Sequence, residues 1–118
     1  MTRPVLENSQ IHTGIQKKVS QFNLDIIEEV QFALKAHRTV VVGMTQNPVV
    51  KSVRQQLDKA GIQYFYLGYG SYFSQWRRRL ALKMWTGWPT FPMVFQDGVL
   101  LGGAQDVKAL IDSGELTG

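Results

Sequence analysis

The run Thr39–Val42 constrains the fold most, because it places four β-branched residues in a row with no alternation of apolar and polar side chains. Such a run is typical of a strand that is buried on both faces of a sheet. A chain of 118 residues, 44% of them apolar, can bury one such sheet, but a second full domain does not fit. The sequence therefore predicts one α/β domain with helices on both faces of the sheet.

Further helices and strands are predicted on both sides of this run. Apolar residues at helical spacing predict helices near residues 11–22, 27–34, 48–60, 74–85 and 107–111. Aromatic and β-branched runs predict strands at Ile62–Leu67, Met93–Phe95 and Val99–Leu101. A crossover helix after the first strand implies a parallel pair, and Asp97–Gly98 indicates an antiparallel hairpin. The sequence thus predicts a four-stranded mixed sheet.

Local chemistry predicts where the helix after the first strand begins and ends. Asn47 and Pro48 are typical of an N-cap and a first helical residue. Gly61 is typical of the position just after a helix. Taken alone, Asn47–Pro48 is therefore interpreted as a helix cap.

The helix predicted over residues 74–85 carries the basic run Arg77–Arg79. Its apolar residues keep helical spacing and are expected to face the core: Phe73, Trp76, Leu80 and Met84. The arginines are interpreted as a solvated face. The net charge of +4 permits attraction to acidic partners, but nucleic-acid binding would depend on this run alone and is not favoured.

The chain has no cysteine, which excludes disulfide bonds, thiolate metal ligands and redox chemistry at a protein sulfur atom. The two histidines, His12 and His37, are interpreted as surface residues rather than catalysts, and no metal site is predicted. The first residues lack the apolar run of a signal peptide, and no stretch approaches the roughly 20 apolar residues that span a bilayer. We therefore expect a cytoplasmic protein with no membrane partner.

Several short motifs follow one another in order towards the end of the chain. They are Trp88-Pro89-Thr90 with Pro92, Asp97-Gly98, Gly102-Gly103 and Gly114-Glu115-Leu116. In this order and spacing, residues 39–116 resemble the glutaredoxin family, and its monothiol class in particular. The resemblance implies a thioredoxin-like, three-layer α/β/α domain at residues 39–118, preceded by an N-terminal helical extension at residues 1–38.

The resemblance implies which role the turn after the first strand has in the family. In glutaredoxins this turn carries the catalytic cysteine at a helix N terminus, where N–H groups and the helix dipole stabilise a thiolate. The resemblance puts Asn47 at the position of that cysteine and Val50 at the position of the second one. The turn is expected to be a vestige without catalytic residues: Asn47, Pro48, Val49 and Val50. An iron–sulfur carrier role needs a protein thiolate and is disfavoured.

The resemblance also implies a groove that holds glutathione without a covalent bond. The residues that match the family's groove are Lys83, Thr90, Phe91, Pro92, Gly102, Gly103, Ala104, Gln105 and Asp106. A cis peptide bond before Pro92 would offer backbone groups of Phe91 to the ligand. Lys83 would contact the glycyl carboxylate, and the helix start after Gly103 would contact the γ-glutamyl carboxylate.

Each of these assignments has a structural alternative. The Thr90 hydroxyl could satisfy a loop backbone group, and Lys83 could be an ordinary solvated lysine. Gly102–Gly103 could form a tight turn that is capped by Asp106. The family carries Cys-Asp after its two glycines, whereas this chain has Ala104–Gln105. Asp106 therefore comes one position late for a contact with the ligand amine.

Three functions are open at this level. We favour a binding or regulatory module in redox homeostasis, which binds glutathione or a related peptide or thiol but has no thiol of its own. The second is an enzyme: the family implies a glutathione-dependent thiol–disulfide oxidoreductase, and the absence of cysteine argues against it. The third is a protein-interaction domain of the same fold, without glutathione binding, that uses aromatic and basic side chains: Tyr64, Tyr66, Tyr69, Tyr72, Phe73, Trp76 and Arg77–Arg79.

Overall fold

Helices and strands alternate through the computed structural model, which describes residues 2–70 and 74–118. A 3₁₀ turn at Asn8–Gln10 is followed by α1 (Thr13–Gln21), α2 (Leu24–Ala36), β1 (Thr39–Gly43), α3 (Pro48–Lys59), β2 (Phe65–Gly68), α4 (Trp76–Thr86), β3 (Met93–Gln96), β4 (Val99–Gly102) and α5 (Ala104–Asp112). From β1 onward the predicted order of elements is confirmed, whereas the predicted start of the second strand at Ile62 is wrong, because β2 begins at Phe65. Within the described ranges, no helix is both long and apolar enough to cross a membrane.

The four strands form one mixed sheet in the order β2–β1–β3–β4. β1 pairs with β2 in parallel and with β3 antiparallel, and β3 pairs with β4 antiparallel. The hairpin between β3 and β4 turns at Asp97 and Gly98, whose φ angles are 51° and 77°. Positive φ at both central residues is what a type I′ turn requires. The predicted mixed sheet and its hairpin are confirmed.

Helices cover both faces of this sheet. Val40 and Val42 of β1 face a layer formed by α2 and α4, whereas Val41 faces a layer formed by α3 and α5. All three valines are fully buried, as the β-branched run predicts. Burial of one such side chain is worth roughly 1.5–3 kcal/mol relative to exposure. The domain is the predicted three-layer α/β/α arrangement.

The buried face of α4 is not the one that the sequence predicts. Trp76, Leu80 and Met84 are 53%, 39% and 56% exposed, whereas Leu82 is buried. Phe73, the fourth member of the expected stripe, lies outside the described residues. The prediction of a buried stripe is therefore wrong for its three described members.

Arg79 accounts for the orientation of α4. Its side chain is only 6% exposed, and its guanidinium donates hydrogen bonds to the backbone carbonyl oxygens of Tyr69 (2.9 Å) and Ser74 (2.6 Å). Burial lowers the pKa of Arg79, and a buried cation is tolerated where polar partners replace water. These carbonyl groups hold the Arg79 face of α4 inward, which turns the Trp76 face outward.

The run Arg77–Arg79 is thus not a uniformly solvated face, contrary to the interpretation from the sequence. The Arg78 guanidinium lies 3.3 Å from the carboxylate of Asp25 and 3.6 Å from that of Glu29, both on α2. Glu29 also accepts a 2.5 Å hydrogen bond from Tyr69, and burial together with this bond raises the pKa of the Tyr69 phenol. Two of the three arginines therefore fasten α4 to the fold, which leaves little support for a nucleic-acid interface.

The two N-terminal helices differ in how they join the fold. α2 contributes Ile26 and Val30 to the same hydrophobic core as β1. In α1, which the structure describes in full, no residue is buried, and Ile15 and Val19 are each 47% exposed. The predicted N-terminal helical segment is confirmed, and the domain boundary after residue 38 stays a prediction.

α3 packs closely on β1 at Gly43. A β-carbon at Gly43 would lie 2.7 Å and 2.8 Å from the two γ-carbons of Val50, a stiff and buried side chain. We expect Gly43→Ala to lower the free energy of unfolding by about 1–3 kcal/mol through overpacking. Val50→Ala in the same chain should recover part of this loss, and urea unfolding of the single and double variants measures the coupling. Strictly additive losses would contradict this packing.

Candidate functional site

Three segments of the chain meet at one edge of the sheet, where β1 and β4 end and β3 begins. The register pairs Val42 with Met93, so Pro92 lies beside the end of β1. β4 ends at Gly102, and a β-carbon built on Gly103 would lie 3.5 Å from the carbonyl oxygen of Pro92. These segments form what we call the candidate groove: the N terminus of α3, residues 91–92 and residues 102–106.

The peptide bond between Phe91 and Pro92 is cis, as the resemblance predicts. Both residues are buried, and the Nζ atom of Lys83 lies 5.8 Å from the centroid of the Phe91 ring. Thr90 is exposed, and its hydroxyl makes no hydrogen bond with a described residue. The structure thus brings Lys83 to this loop and leaves the Thr90 hydroxyl free of the loop backbone.

The chain approaches the cis bond through Trp88, which the sequence indicates only as part of a motif. The Thr86 hydroxyl accepts a hydrogen bond from the Trp88 N–H (3.1 Å) and donates one to the Leu82 carbonyl oxygen (2.8 Å). The indole Nε1 of Trp88 would lie 3.7 Å from a β-carbon on Gly103. This nitrogen is buried and has no hydrogen-bond partner among the described residues. Trp88 therefore forms a wall behind the Gly102–Gly103 turn.

Asn47 caps α3, as the sequence predicts. Its Oδ1 atom accepts hydrogen bonds from the N–H groups of Val49 (2.8 Å) and Val50 (3.1 Å), and Pro48 is the first helical residue. These are N–H groups at the helix end where the resemblance places a thiolate. The Val50 side chain is buried against Gly43 and belongs to the core. The turn therefore works as a helix cap.

The turn before α5 is closed by Asp106. The Gly103 N–H donates a 3.0 Å hydrogen bond to Oδ2 of Asp106, and Gly102 has a φ of 114°. A β-carbon at Gly102 would come within 2.6 Å of the same oxygen, so this position needs glycine. The Asp106 carboxylate is thus engaged in the cap. The N–H groups of Ala104 and Gln105, in the first turn of α5, have no acceptor inside the helix.

A cavity of about 340 Å³ opens beside α3 on the side of β2, and it shares the N terminus of α3 with the candidate groove. It is lined by Thr45, Gln46, Asn47, Pro48, Val50, Lys51, Arg54 and Tyr66. We call it the α3 cavity. The sequence does not predict this cavity, because the only local signal for it is the spacing of Lys51 and Arg54, which places both on one face of the helix.

The histidines take structural positions. Nδ1 of His12 accepts a 2.9 Å hydrogen bond from the Gly14 N–H at the start of α1. The His37 ring stacks on Phe65 with a centroid distance of 4.1 Å. In the described part of the chain, no group of three or more histidine, aspartate or glutamate side chains could hold a metal ion.

Comparison with known proteins finds relatives of this chain that show its family. A glutaredoxin-like protein of Dictyostelium discoideum is 45% identical over 103 residues, which are 87% of this chain and 84% of that protein. The chain belongs to the glutaredoxin family. A probable monothiol glutaredoxin 2 of Rickettsia prowazekii is 30% identical over 95 residues, which cover 76% of this chain and 86% of that protein. No family model matches the chain.

A solved glutaredoxin structure shows the same fold. The crystal structure of a buckwheat glutaredoxin–glutathione complex matches with a TM-score of 0.70 at 23% identity, and the match covers 81% of this chain and 87% of that one. The predicted thioredoxin-like fold is confirmed. The Dictyostelium match is longer than residues 39–118, so it includes part of the N-terminal helices, which the motifs do not reach. Disulfide exchange by a glutaredoxin uses a catalytic cysteine, whereas this chain has no cysteine.

The cap on α3 can be tested by substitution. Asn47→Ala leaves the N–H groups of Val49 and Val50 without their acceptor and should lower the free energy of unfolding by about 1 kcal/mol. Asn47→Asp keeps an acceptor oxygen and should cost much less. Urea denaturation measures both changes. An equal loss in the two variants would contradict the cap.

Proposed function

We propose that this glutaredoxin-family chain binds glutathione, or a related peptide or thiol, without a covalent bond in the candidate groove, and acts as a binding or regulatory module in redox homeostasis. The observation that carries the proposal is the meeting of the α3 N terminus, Phe91–Pro92 and the Gly102–Gly103 turn at one edge. A buckwheat glutaredoxin of the same fold has been crystallised with glutathione. We place this role in the cytoplasm, where glutathione is the main thiol pool.

Three parts of an extended tripeptide have a matching group in this groove. Backbone groups of Phe91, just before β3, can pair with the ligand main chain as an added strand would. The N–H groups of Ala104 and Gln105 suit the γ-glutamyl carboxylate, because they lie at a helix N terminus. Lys83, beside the Phe91 ring, suits the glycyl carboxylate. One oxygen of Asp106 accepts the Gly103 N–H, and Asp106 comes one position later than the family's aspartate, so we expect the ligand amine to bind elsewhere.

Because the chain has no thiol, we expect this groove to bind a ligand without catalysing disulfide exchange. Disulfide exchange proceeds through a mixed disulfide, which needs a protein sulfur atom. Asn47 occupies the expected position of that sulfur, and its amide oxygen is held by two backbone N–H groups. The chain as it stands should therefore show no turnover in a hydroxyethyl-disulfide reduction assay with glutathione.

Restoring one thiol tests whether the groove still recognises glutathione. Asn47→Cys creates the single cysteine of the chain, at a helix end that favours the thiolate. Ser52→Cys places a control thiol on the exposed surface of the same helix. For each variant, mass spectrometry can measure the rate of mixed-disulfide formation with oxidised glutathione and the rate with the neutral hydroxyethyl disulfide. The ratio of the two rates removes the effect of thiol reactivity and reports recognition of glutathione.

The ratio of the rate with oxidised glutathione to the rate with hydroxyethyl disulfide should be higher for Asn47→Cys than for Ser52→Cys. Adding Lys83→Ala to Asn47→Cys should lower it by a few fold, since an exposed pairing with a carboxylate is worth at most about 1 kcal/mol. Lys108→Ala, an exposed lysine on α5, is the matched control and should leave the ratio unchanged. Equal ratios for the two cysteine variants would mean that the turn serves only as a helix cap, and they would contradict glutathione binding in the groove.

A second candidate function is the protein-interaction domain without glutathione binding, and one observation favours it. An apolar groove of about 550 Å³ runs between the N-terminal segment and α4, with Ile15, Val19, Phe22, Met84 and Trp85 in its lining. The helices α1 and α4 carry no acidic side chain, and their basic residues that do not fasten α4 to the fold are Lys17, Lys18, Arg77 and Lys83. Charge complementarity therefore selects one occupant, an amphipathic helix with acidic residues beside its apolar face.

A matched pair of synthetic peptides tests this second function. Both are amphipathic helices with the same leucine face, and their flanking positions carry glutamate in one and lysine in the other. We expect tryptophan fluorescence to report binding of the glutamate peptide alone. Met84→Glu should weaken this binding, whereas Val99→Glu, on an exposed residue of β4 that does not line the groove, should not. Equal binding of the two peptides, or no binding, would contradict the interaction domain.

A further inference from the structure

The α3 cavity carries positive charge that the rest of the fold does not neutralise. Lys51 and Arg54 line it, and neither aspartate nor glutamate does. No ion pair joins either cation to a carboxylate within the part of the chain that the structure describes. Asp58, one turn further along α3, lines a neighbouring cavity together with Arg54, but the two side chains form no ion pair. The cavity therefore presents two cations to any molecule that enters it.

Arg54 is held in place at the wall of this cavity. Its guanidinium carbon lies 4.1 Å from the centroid of the Tyr66 ring, and its Nε atom donates a 3.3 Å hydrogen bond to the Tyr64 hydroxyl. The Tyr66 hydroxyl in turn donates to the carbonyl oxygen of Met44 (3.2 Å), and burial raises the pKa of this phenol, so it stays neutral. The terminal N–H groups of Arg54 make no hydrogen bond to a described residue. A guanidinium fixed on an aromatic ring loses little freedom when it binds a ligand.

The charge of the cavity comes from side chains and not from the helix end. The N–H groups of Val49 and Val50 donate to Asn47, so they are not available to a ligand. The lining also includes two groups that can donate hydrogen bonds, the Thr45 hydroxyl and the side-chain amide of Gln46. Donors and cations in a cavity that no carboxylate lines are the chemistry that binds an oxyanion.

We propose that the α3 cavity binds a small phosphomonoester, with its phosphate group between Lys51 and Arg54. A phosphate monoester carries close to two negative charges at pH 7.5, which matches the two cations, and the guanidinium fork suits paired phosphate oxygens. The volume of about 340 Å³ is roughly ten times the 30 Å³ share of a water molecule, so the attached organic group fits as well. The site lies on the β2 side of α3 and does not depend on glutathione binding.

Phosphate titrations followed by ¹⁵N NMR test the site directly. Inorganic phosphate and glycerol phosphate are added at pH 7.5, with sodium chloride at the same ionic strength as the control. We expect saturable shifts of the Arg54 Nε–Hε signal and of the backbone amide of Lys51 with both phosphates, and tighter or equal binding of glycerol phosphate. Chloride should produce neither shift.

Three variants separate a built site from the general basic surface. Arg54→Gln should weaken binding about tenfold or more, because it removes a charge-assisted pair of hydrogen bonds. Lys51→Gln, on an exposed side chain that the fold does not need, should weaken it several-fold. Lys59→Gln removes one charge from the far end of the same helix and should leave binding unchanged.

Three outcomes would overturn the proposal. One is that chloride shifts the same signals as phosphate. Another is that Lys59→Gln weakens binding as much as Lys51→Gln does. The last is that inorganic phosphate binds but glycerol phosphate does not, which excludes a phosphomonoester.

Discussion

The burial of β1 between two helical layers is the constraint on which the rest of the structure depends. Val40, Val41 and Val42 have no exposed surface, so both faces of the strand must be covered. Because β2 and β3 flank β1, the end of β1 becomes the centre of one sheet edge. α3 starts from that edge, and the space between α3 and each neighbouring strand defines one site: the candidate groove towards β3 and the α3 cavity towards β2.

Features that local chemistry determines are predictable from the sequence. Asn47 and Pro48 start α3, and Asp97–Gly98 turns the hairpin, because each needs only its own backbone and its immediate neighbours. The second strand is predicted from Ile62 but begins at Phe65. The reason is that the Ile62 N–H donates to the Leu57 carbonyl oxygen, so this residue still belongs to the exit of α3.

Features that depend on partners distant in sequence are not predictable in the same way. The exposed Trp76 face of α4 follows from the buried Arg79, whose partners include the backbone of Tyr69 on another loop. The α3 cavity requires Tyr66 of β2 beneath Arg54 of α3. In the candidate groove, the sequence leaves open whether Gly102–Gly103 serves the ligand or forms a turn capped by Asp106, and the structure shows the cap.

The central claim is that a glutaredoxin-family chain without cysteine still binds glutathione in the candidate groove. The most direct measurement is a ¹⁵N NMR titration of the unmodified chain with reduced glutathione up to millimolar concentrations. The account predicts saturable shifts of the backbone amides of Phe91, Met93, Gly103 and Ala104. No shift at these residues, or shifts confined to Lys51 and Arg54, would contradict it.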